Sequence, residues 1–400
     1  MKITIEPGVL QGAVTPPPSK SHVHRLLIAA ALCSGETAIL CPGDNADIQA
    51  TIRCLQALGV SVQRDARMIR ISGPLQKTEK TELDCGESGS TLRFMLPLCA
   101  AQEKDWPILL TGHGRLPSRP NGPLLEQLRE HGAQMEGDFL PIRVHGGLKS
   151  GDYALPGNIS SQYFTGLLMA LPLLAGESRL RYTSPLESMP YVDLTLSVLR
   201  QFGIRIEEIT DGWRIPGNQR YISPGFVEAE GDWSAAAFWL SANHLGSEIQ
   251  VLGMNPASPQ GDKAIERLLN QIGGEVDVTD TPDLMPVLSA VAAARPGETV
   301  ISGAARLRIK ESDRLSAMAK AINALGGAAE EKEDGLIIRG GKILGGVVDG
   351  MNDHRVVMSA AIAATVCQAP VTILGAEAAD KSYPGFFEDF VRLGGKIHVG

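Results

Sequence analysis

The chain has 400 residues, 44% of them apolar, 20% charged and only 5% aromatic. That excludes a disordered polymer and a small disulfide-stapled module, and it gives room for two or three domains of ~100–200 residues each. Lys and Arg number 37 against 45 Asp and Glu, a formal net charge of −8, so the diffuse basic surface of a sequence-independent nucleic-acid binder is absent and any anion binding has to be local.

The opening segment MKITIEPGVLQGAV interrupts its apolar character at Glu6, Pro7 and Gly8, before a secretory core forms. The longest apolar run, Gly166 to Gly176, contains Pro172 and falls far short of the ~20 residues that span a bilayer. The six cysteines (33, 41, 54, 85, 99 and 367) include no C-x-x-C pair, and several lie in apolar stretches, the pattern of reduced core thiols. A cytoplasmic protein that touches no membrane is expected.

Two interleaved elements repeat along the chain. A polar opening that runs into an Ala- and Leu-rich helix, SKSHVHRLLIAAAL from Ser19, is followed by an amphipathic helix that stops at a glycine, LQALGVSV with Gly59. The pair recurs as GESGSTLRFMLPL from Gly86 with LREHGAQM at Gly132, and as SSQYFTGLLMALPLL from Ser160 with LRQFGIRI at Gly203. It continues as GDWSAAAFWLSA from Gly231 with LNQIGGEV at Gly273, PDLMPVLSAVAAA from Pro282 with INALGGAA at Gly326, and NDHRVVMSAAIAA from Asn352 with VRLGGKIHV at Gly394. The glycines are 73, 71, 70, 53 and 68 residues apart, and the polar openings 67, 74, 71, 51 and 70.

Gly just past a helix, followed by apolar alternation, ends the helix and begins a strand. A helix that is apolar all round belongs inside a domain. Six repeats therefore predict an α/β protein of two domains, three units each, with helices buried and sheets outside. Pro-rich TPPPSK (15–20) and SPGF (223–226) break the pattern where a crossover would fall. They predict a discontinuous domain, 1–14 plus 224–400, with 15–223 inserted.

The polar openings carry the chemistry. A helix N-terminus offers unbonded N–H groups and the positive end of its dipole to anions, yet these openings also carry cations, which the dipole alone disfavours. They are Lys20, Arg25, Arg93, Arg119, Lys310, Arg314, Arg355 and Lys381. Repetition at equivalent places points to a shared anionic ligand, against the plainer reading of surface Lys and Arg. Ser19, Ser21, Ser88, Ser90, Ser160, Ser161, Gln162 and Ser188 join them, each also a candidate N-cap. Among the carboxylates, Asp313 reads as an ion-pair partner. Asp283 and Glu311 are the candidates for proton transfer, since neither has to cap a helix opened by Pro282 or Lys310.

A P-loop is missing, His22 and His24 are two apart and cannot share a metal on a helix, and GESGS ends in Ser90 where a nucleophile elbow needs Gly.

Taken as an ordered set, PPSKSHVHR (17–25), GESGSTLR (86–93), RPNGP (119–123), SSQY (160–163), SMPYVD (188–193), EGD (230–232), PD (282–283), KESDR (310–314), NDHR (352–355) and DKSYP (380–384) resemble the 5-enolpyruvylshikimate-3-phosphate synthase family along essentially the whole chain. The resemblance implies a two-domain inside-out α/β barrel, each domain made of three βαβαββ-like units, with the active site in the interdomain cleft. The implied activity moves the enolpyruvyl group of phosphoenolpyruvate to the 5-hydroxyl of shikimate 3-phosphate through a tetrahedral intermediate, releasing phosphate. It uses no metal or cofactor, and the partners are these small molecules alone, with a monomer expected.

Carried over by resemblance, Asp283 is the base, Glu311 the acid, and Lys20 assists. Lys20, Ser21, Arg25, Ser160, Ser161, Gln162, Ser188, Tyr191, Asp283 and Lys310 face shikimate 3-phosphate. Lys20, Gly89, Arg119, Gln162, Arg314, Arg355 and Lys381 surround phosphoenolpyruvate, where the family's inhibitor glyphosate also sits, and Arg93 supports the site. The chain departs from the family at Glu87, where Asn is usual, and at Arg306, where an Asn often meets the shikimate ligand. The sister UDP-N-acetylglucosamine enolpyruvyl transferases carry a Lys-Asn pair near the N-terminus and a Cys shortly before the equivalent of Arg119. Here the pair is Lys20-Ser21, and residues 110–118 hold no Cys. A non-catalytic binder of phosphorylated metabolites would keep the cations but would not need both Asp283 and Glu311.

Overall fold

A computed structural model describes residues 1–78, 81–102 and 105–400. The chain forms two compact units, Lys20–Ala229 and the discontinuous Met1–Ser19 with Glu230–Gly400, each with its own apolar core.

In the first unit, helices α1 (Lys20–Ala31), α2 (Ala46–Ala57), α3 (Gly89–Ala100), α4 (Gly122–Glu130), α5 (Ser161–Ala170) and α6 (Met189–Gln201) alternate in character. The odd-numbered ones are buried along almost their whole length, whereas α4 hides only Leu124, Leu125 and Leu128. α3 and α5 each follow an edge strand and lead into the strand parallel to it, and each even helix leads into an antiparallel hairpin. Three four-stranded sheets result. One has the order Glu82–Asp84, Ile108–Thr111, Ile142–Val144, Met135–Glu136, and another Asp152–Leu155, Ser178–Tyr182, Gly212–Ile215, Glu207–Ile209. The remaining sheet borrows its edge from the far end of the unit, where Phe226–Glu228 lies parallel to Gly35–Leu40.

The second unit repeats the alternation with α7 (Trp233–His244), α8 (Ile265–Leu268), α9 (Met285–Ala294), α10 (Arg314–Ala324), α11 (His354–Ala364) and α12 (Phe386–Arg392). Its last sheet is completed by the N-terminal strand Lys2–Glu6, which sits between Val371–Leu374 and Lys396–Val399. One repeat departs from the expected βαβαββ pattern. After Gly273 the chain enters Glu275–Asp277, already the first strand of the next sheet, so no hairpin is made there and, among the described residues, Glu248–Val251 pairs only with Gln11–Val14. The missing hairpin accounts for the short spacings of 53 and 51 residues. All six terminating glycines, 59, 132, 203, 273, 326 and 394, have φ between 78° and 96°, the left-handed conformation that stops a helix at its C′ position.

The division between units falls at 19/20 and 229/230, later than the 14/15 and 223/224 expected from the Pro- and Gly-rich stretches. Backbone pairing explains the difference. Ser19 N–H donates to Glu230 O at 2.7 Å and Asp232 N–H to Pro17 O at 2.9 Å, which fastens 17–19 to the second unit. Ala229 N–H donates to Leu40 O at 2.9 Å and, with the strand Phe226–Glu228, stays in the first. TPPPSK and SPGF lie close to the division without setting it.

All six cysteines are buried free thiols. Among the described residues no helix is long and apolar enough to cross a membrane.

Candidate active site

In the first unit the predicted residues cluster at the N-terminal ends of its helices. Lys20, the first residue of α1, places Nζ 2.9 Å from Asp47 Oδ2, with both side chains largely enclosed. One turn on, Arg25 is only 2% exposed. Its Nη1 donates to Ser21 O at 2.7 Å, Nε to Thr195 Oγ1 at 2.8 Å, and Nη2 to Tyr191 O at 2.9 Å and Thr165 Oγ1 at 3.2 Å. Every one of these acceptors is uncharged. Burial accordingly pulls the guanidinium pKa down to about 9. A buried cation with no carboxylate partner among the described residues is poised for an anion.

Ser88 caps α3 by accepting Thr91 N–H, and Gly89 opens the helix with no left-handed φ. A Cβ on Gly89 would lie 2.8 Å from Arg119 Nη1, so the glycine lets the buried Arg119 guanidinium close onto the helix start. Arg93, one turn along, braces the surroundings: Nε donates to Asn121 Oδ1 at 3.1 Å, Nη1 to Gln162 Oε1 at 2.6 Å and Nη2 to Pro120 O at 3.0 Å. Gln162 Nε2 in turn donates to Ser90 Oγ at 2.9 Å. Ser160 caps α5, Ser161 is buried at its first residue, and Ser188 opens α6 at φ 58°. Lys20, Ser21, Arg25 and Tyr191 are thus joined in one group, and Gly89, Arg93, Arg119 and Gln162 surround the start of α3.

In the second unit the centre is Arg314, 1% exposed and held by three carboxylates. Nε donates to Asp353 Oδ2 at 2.8 Å, Nη1 to Asp283 Oδ1 at 2.8 Å and Nη2 to Glu311 Oε2 at 2.7 Å. Arg355 Nη2 takes the other oxygen of Asp283 at 3.0 Å, and its Nη1 donates to the Asp283 carbonyl at 3.1 Å. Lys310 Nζ stands 3.9 Å from Asp283 Oδ1. Burial alone would raise the Asp283 pKa, but Arg355, Lys310 and Arg314 hold it far below the usual carboxylate range. Asp353, fully buried, is also held low, with Arg314 overcoming burial. Lys381 Nζ donates to Asn352 O at 2.9 Å. Asp313 caps α10 and pairs with Arg308 at 3.1 Å, the structural role expected of it. Arg306 donates through Nη2 to Thr279 O.

Sequence reasoning missed Asp353 and Asp47, which hold Arg314 and Lys20, and also Thr165 and Thr195, which replace a counter-ion for Arg25. For Asp353 a signal existed, since NDHR places a helix cap two residues before Arg355. For the threonines there was none, because a hydroxyl inside an apolar helix declares its partner only in three dimensions. Among the described residues no group of three or more His, Cys, Asp or Glu is arranged to hold a metal ion.

The family described as EPSP synthase (3-phosphoshikimate 1-carboxyvinyltransferase) matches residues 5–282 and 273–390. A 3-phosphoshikimate 1-carboxyvinyltransferase of Clostridium acetobutylicum is 42% identical over 422 residues, covering 99% of this chain and 98% of its own, and one of Clostridium kluyveri is 41% identical with the same coverage. The structure resembles EPSP synthase from Acinetobacter baumannii with a TM-score of 0.83 at 26% identity, each chain covered completely. The enolpyruvyl transferase NikO of Streptomyces tendae shares the fold, with a TM-score of 0.80 at 18% identity over 99% of this chain and 98% of that one. The chain belongs to the EPSP synthase family, the transferases that move the enolpyruvyl group of phosphoenolpyruvate to shikimate 3-phosphate in the shikimate pathway.

Proposed function

We propose that the residues of the two units divide the work of this reaction as follows. Lys20, Ser21, Arg25, Ser160, Ser161, Gln162, Ser188, Tyr191, Asp283 and Lys310 hold shikimate 3-phosphate. Lys20, Gly89, Arg119, Gln162, Arg314, Arg355 and Lys381 hold phosphoenolpyruvate. Asp283 removes the proton of the 5-hydroxyl as that oxygen attacks C2 of phosphoenolpyruvate, and Glu311 delivers a proton to the methylene carbon. In the tetrahedral adduct the transfers reverse: the methyl group gives up a proton, the carbon–carbon double bond re-forms and phosphate leaves, its charge stabilised by Lys20 and the guanidinium groups.

The observation that carries this reading is the double hold of Arg314 and Arg355 on Asp283. A carboxylate held that low is a poor base. Carboxylate and phosphate groups of a ligand compete for the same guanidinium groups, and each hydrogen bond they take raises the basicity of Asp283. Substrate binding thus switches the base on. Calorimetric titrations test the assignment: Arg25→Met weakens shikimate 3-phosphate binding more than phosphoenolpyruvate binding, and Arg355→Met does the opposite. Equal losses in both would reject it.

We read the protein as a cytoplasmic monomer acting on these two small molecules without membrane or nucleic acid. A single species of one-chain mass in sedimentation supports the oligomeric part, and a dimer rejects it.

A further inference from the structure

A single file of buried polar groups crosses the apolar centre of the Lys20–Ala229 unit. His24 lies one turn beyond Lys20 on α1, Thr51 one turn beyond Asp47 on α2, and Thr91 and Ser88 at the start of α3. All four are at most 1% exposed. His24 Nδ1 is 2.7 Å from Thr51 Oγ1, Thr51 Oγ1 is 2.7 Å from Thr91 Oγ1, and Thr91 Oγ1 donates to Ser88 Oγ at 2.8 Å.

The protons in this file can be assigned by counting, because a hydroxyl has one to give. Thr91 gives its proton to Ser88 and must accept from Thr51. Thr51, having given its own, must accept from His24 Nδ1. His24 Nδ1 therefore carries a proton. Nε2 has no hydrogen-bond partner among the described residues and burial pushes the imidazole pKa down to about 3, so the ring is neutral and Nε2 is a bare lone pair. At the other end, Ser88 Oγ already accepts from the Thr91 hydroxyl and, at 3.2 Å, from the Thr91 N–H. Its own proton is taken up by no group among the described residues. Ser88 directly precedes Gly89, whose Cα borders the Arg119 guanidinium. Four apolar side chains of similar volume would fill this space at lower desolvation cost, so the file needs a reason beyond packing.

We propose that His24 is a positioning residue: by supplying the first proton of the file it leaves the Ser88 hydroxyl as a fixed donor at the entrance of α3, aimed at an anionic group of phosphoenolpyruvate. The inference deepens the assignment of Gly89 and Arg119 to phosphoenolpyruvate and rests on it.

Two measurements test it. In ¹⁵N-labelled protein, the histidine signal that disappears in His24→Asn shows a neutral ring with a slowly exchanging proton on Nδ1. A proton on Nε2, or an imidazolium, overturns the proposal whatever the substrates do. In steady-state kinetics, Ser88→Ala, Thr51→Val and His24→Leu raise KM for phosphoenolpyruvate at least about fivefold, with kcat and KM for shikimate 3-phosphate within about twofold. His24→Asn, whose amide nitrogen can stand where Nδ1 stands and donate to Thr51, keeps the wild-type KM. Equal losses for both substrates, or no difference between Asn and Leu at position 24, overturn the proposal. Arg119→Met, assayed alongside, separates the two readings. If it leaves KM for phosphoenolpyruvate unchanged, the placing of that substrate is wrong and the proposal falls with it. If it raises KM while Ser88→Ala does not, the placing stands and the proposal alone is overturned.

Discussion

Arg314 and Asp283 are joined by a 2.8 Å hydrogen bond between a guanidinium that is 1% exposed and a carboxylate that also carries Arg355. The same Arg314 neutralises Asp353, which is fully buried. Removing the cation leaves these charges facing one another in a low-dielectric interior, and breaking a buried pair in this way typically costs about 3–5 kcal/mol. Arg314→Met should lose stability of that order near neutral pH in urea unfolding. Asp283 and Asp353 both have folded pKa values below the ordinary carboxylate range. Their pairing therefore stabilises in full above about pH 4 and is lost as pH falls toward the folded values. The gap between wild type and Arg314→Met should narrow on acidification; a gap that stays constant means that the carboxylates are not what Arg314 stabilises.

Arg25 presents the opposite case, a buried cation whose acceptors are two hydroxyls and two carbonyls. Such a residue serves binding at the expense of folding. Arg25→Met is expected to leave thermal stability unchanged or higher while raising the dissociation constant for shikimate 3-phosphate at least about a hundredfold, the scale of a lost charge-assisted pair. Calorimetry and thermal denaturation on the same sample check this, and lost stability with retained affinity contradicts it.

Gly89 needs to be glycine for space and not for conformation, since its φ is not left-handed and its absent Cβ would sit 2.8–3.1 Å from the three outer atoms of the Arg119 guanidinium. Those atoms end a flexible chain, so Ala should be accommodated by a small shift of Arg119. Gly89→Ala should keep its melting temperature and bind phosphoenolpyruvate somewhat more weakly. The glyphosate inhibition constant should rise at least about tenfold more than KM, a difference of roughly 1.4 kcal/mol. Parallel losses, or a collapse in stability, contradict the account.

Asp262 is 3% exposed; one of its oxygens accepts from the Ser234 hydroxyl and Oδ1 has no hydrogen-bond partner among the described residues. Burial raises its pKa to about 6, with Arg355 pulling the other way. A raised folded pKa means that the folded state binds protons more tightly. The associated destabilisation is absent below about pH 4, grows as pH rises and is complete above about pH 6. Asp262→Asn should gain about 1–3 kcal/mol of stability near pH 7.5, a gain that vanishes near pH 4. A variant less stable at neutral pH shows that the charge is held favourably by Arg355.

The repeat was legible in the sequence because its signals are local. A glycine at C′ and an apolar stretch behind a polar opening each declare themselves within one helix, and even the missing hairpin was present as the short spacings after Gly231 and Gly273. The unit boundaries were not legible, because they depend on Phe226–Glu228 pairing with a strand nearly 190 residues away. In the site, the residue types at the helix openings were readable, but their pairing was not. The grip of Arg314 on Asp353 and Asp283, and the file from His24 to Ser88, are contacts across 39, 31 and up to 40 residues that no periodicity encodes.

Asp283, released from its guanidinium partners by the substrates, and Glu311 are the groups proposed to carry the proton transfers. The most direct measurement is phosphate release from phosphoenolpyruvate in the presence of shikimate 3-phosphate, with UDP-N-acetylglucosamine as the control acceptor, for the wild type, Asp283→Asn and Glu311→Gln, alongside calorimetric binding of both substrates. The account predicts release with shikimate 3-phosphate alone, and a kcat lowered on the order of 10²-fold or more in each variant while both substrates still bind. Near wild-type turnover in Asp283→Asn, with binding intact, would contradict it.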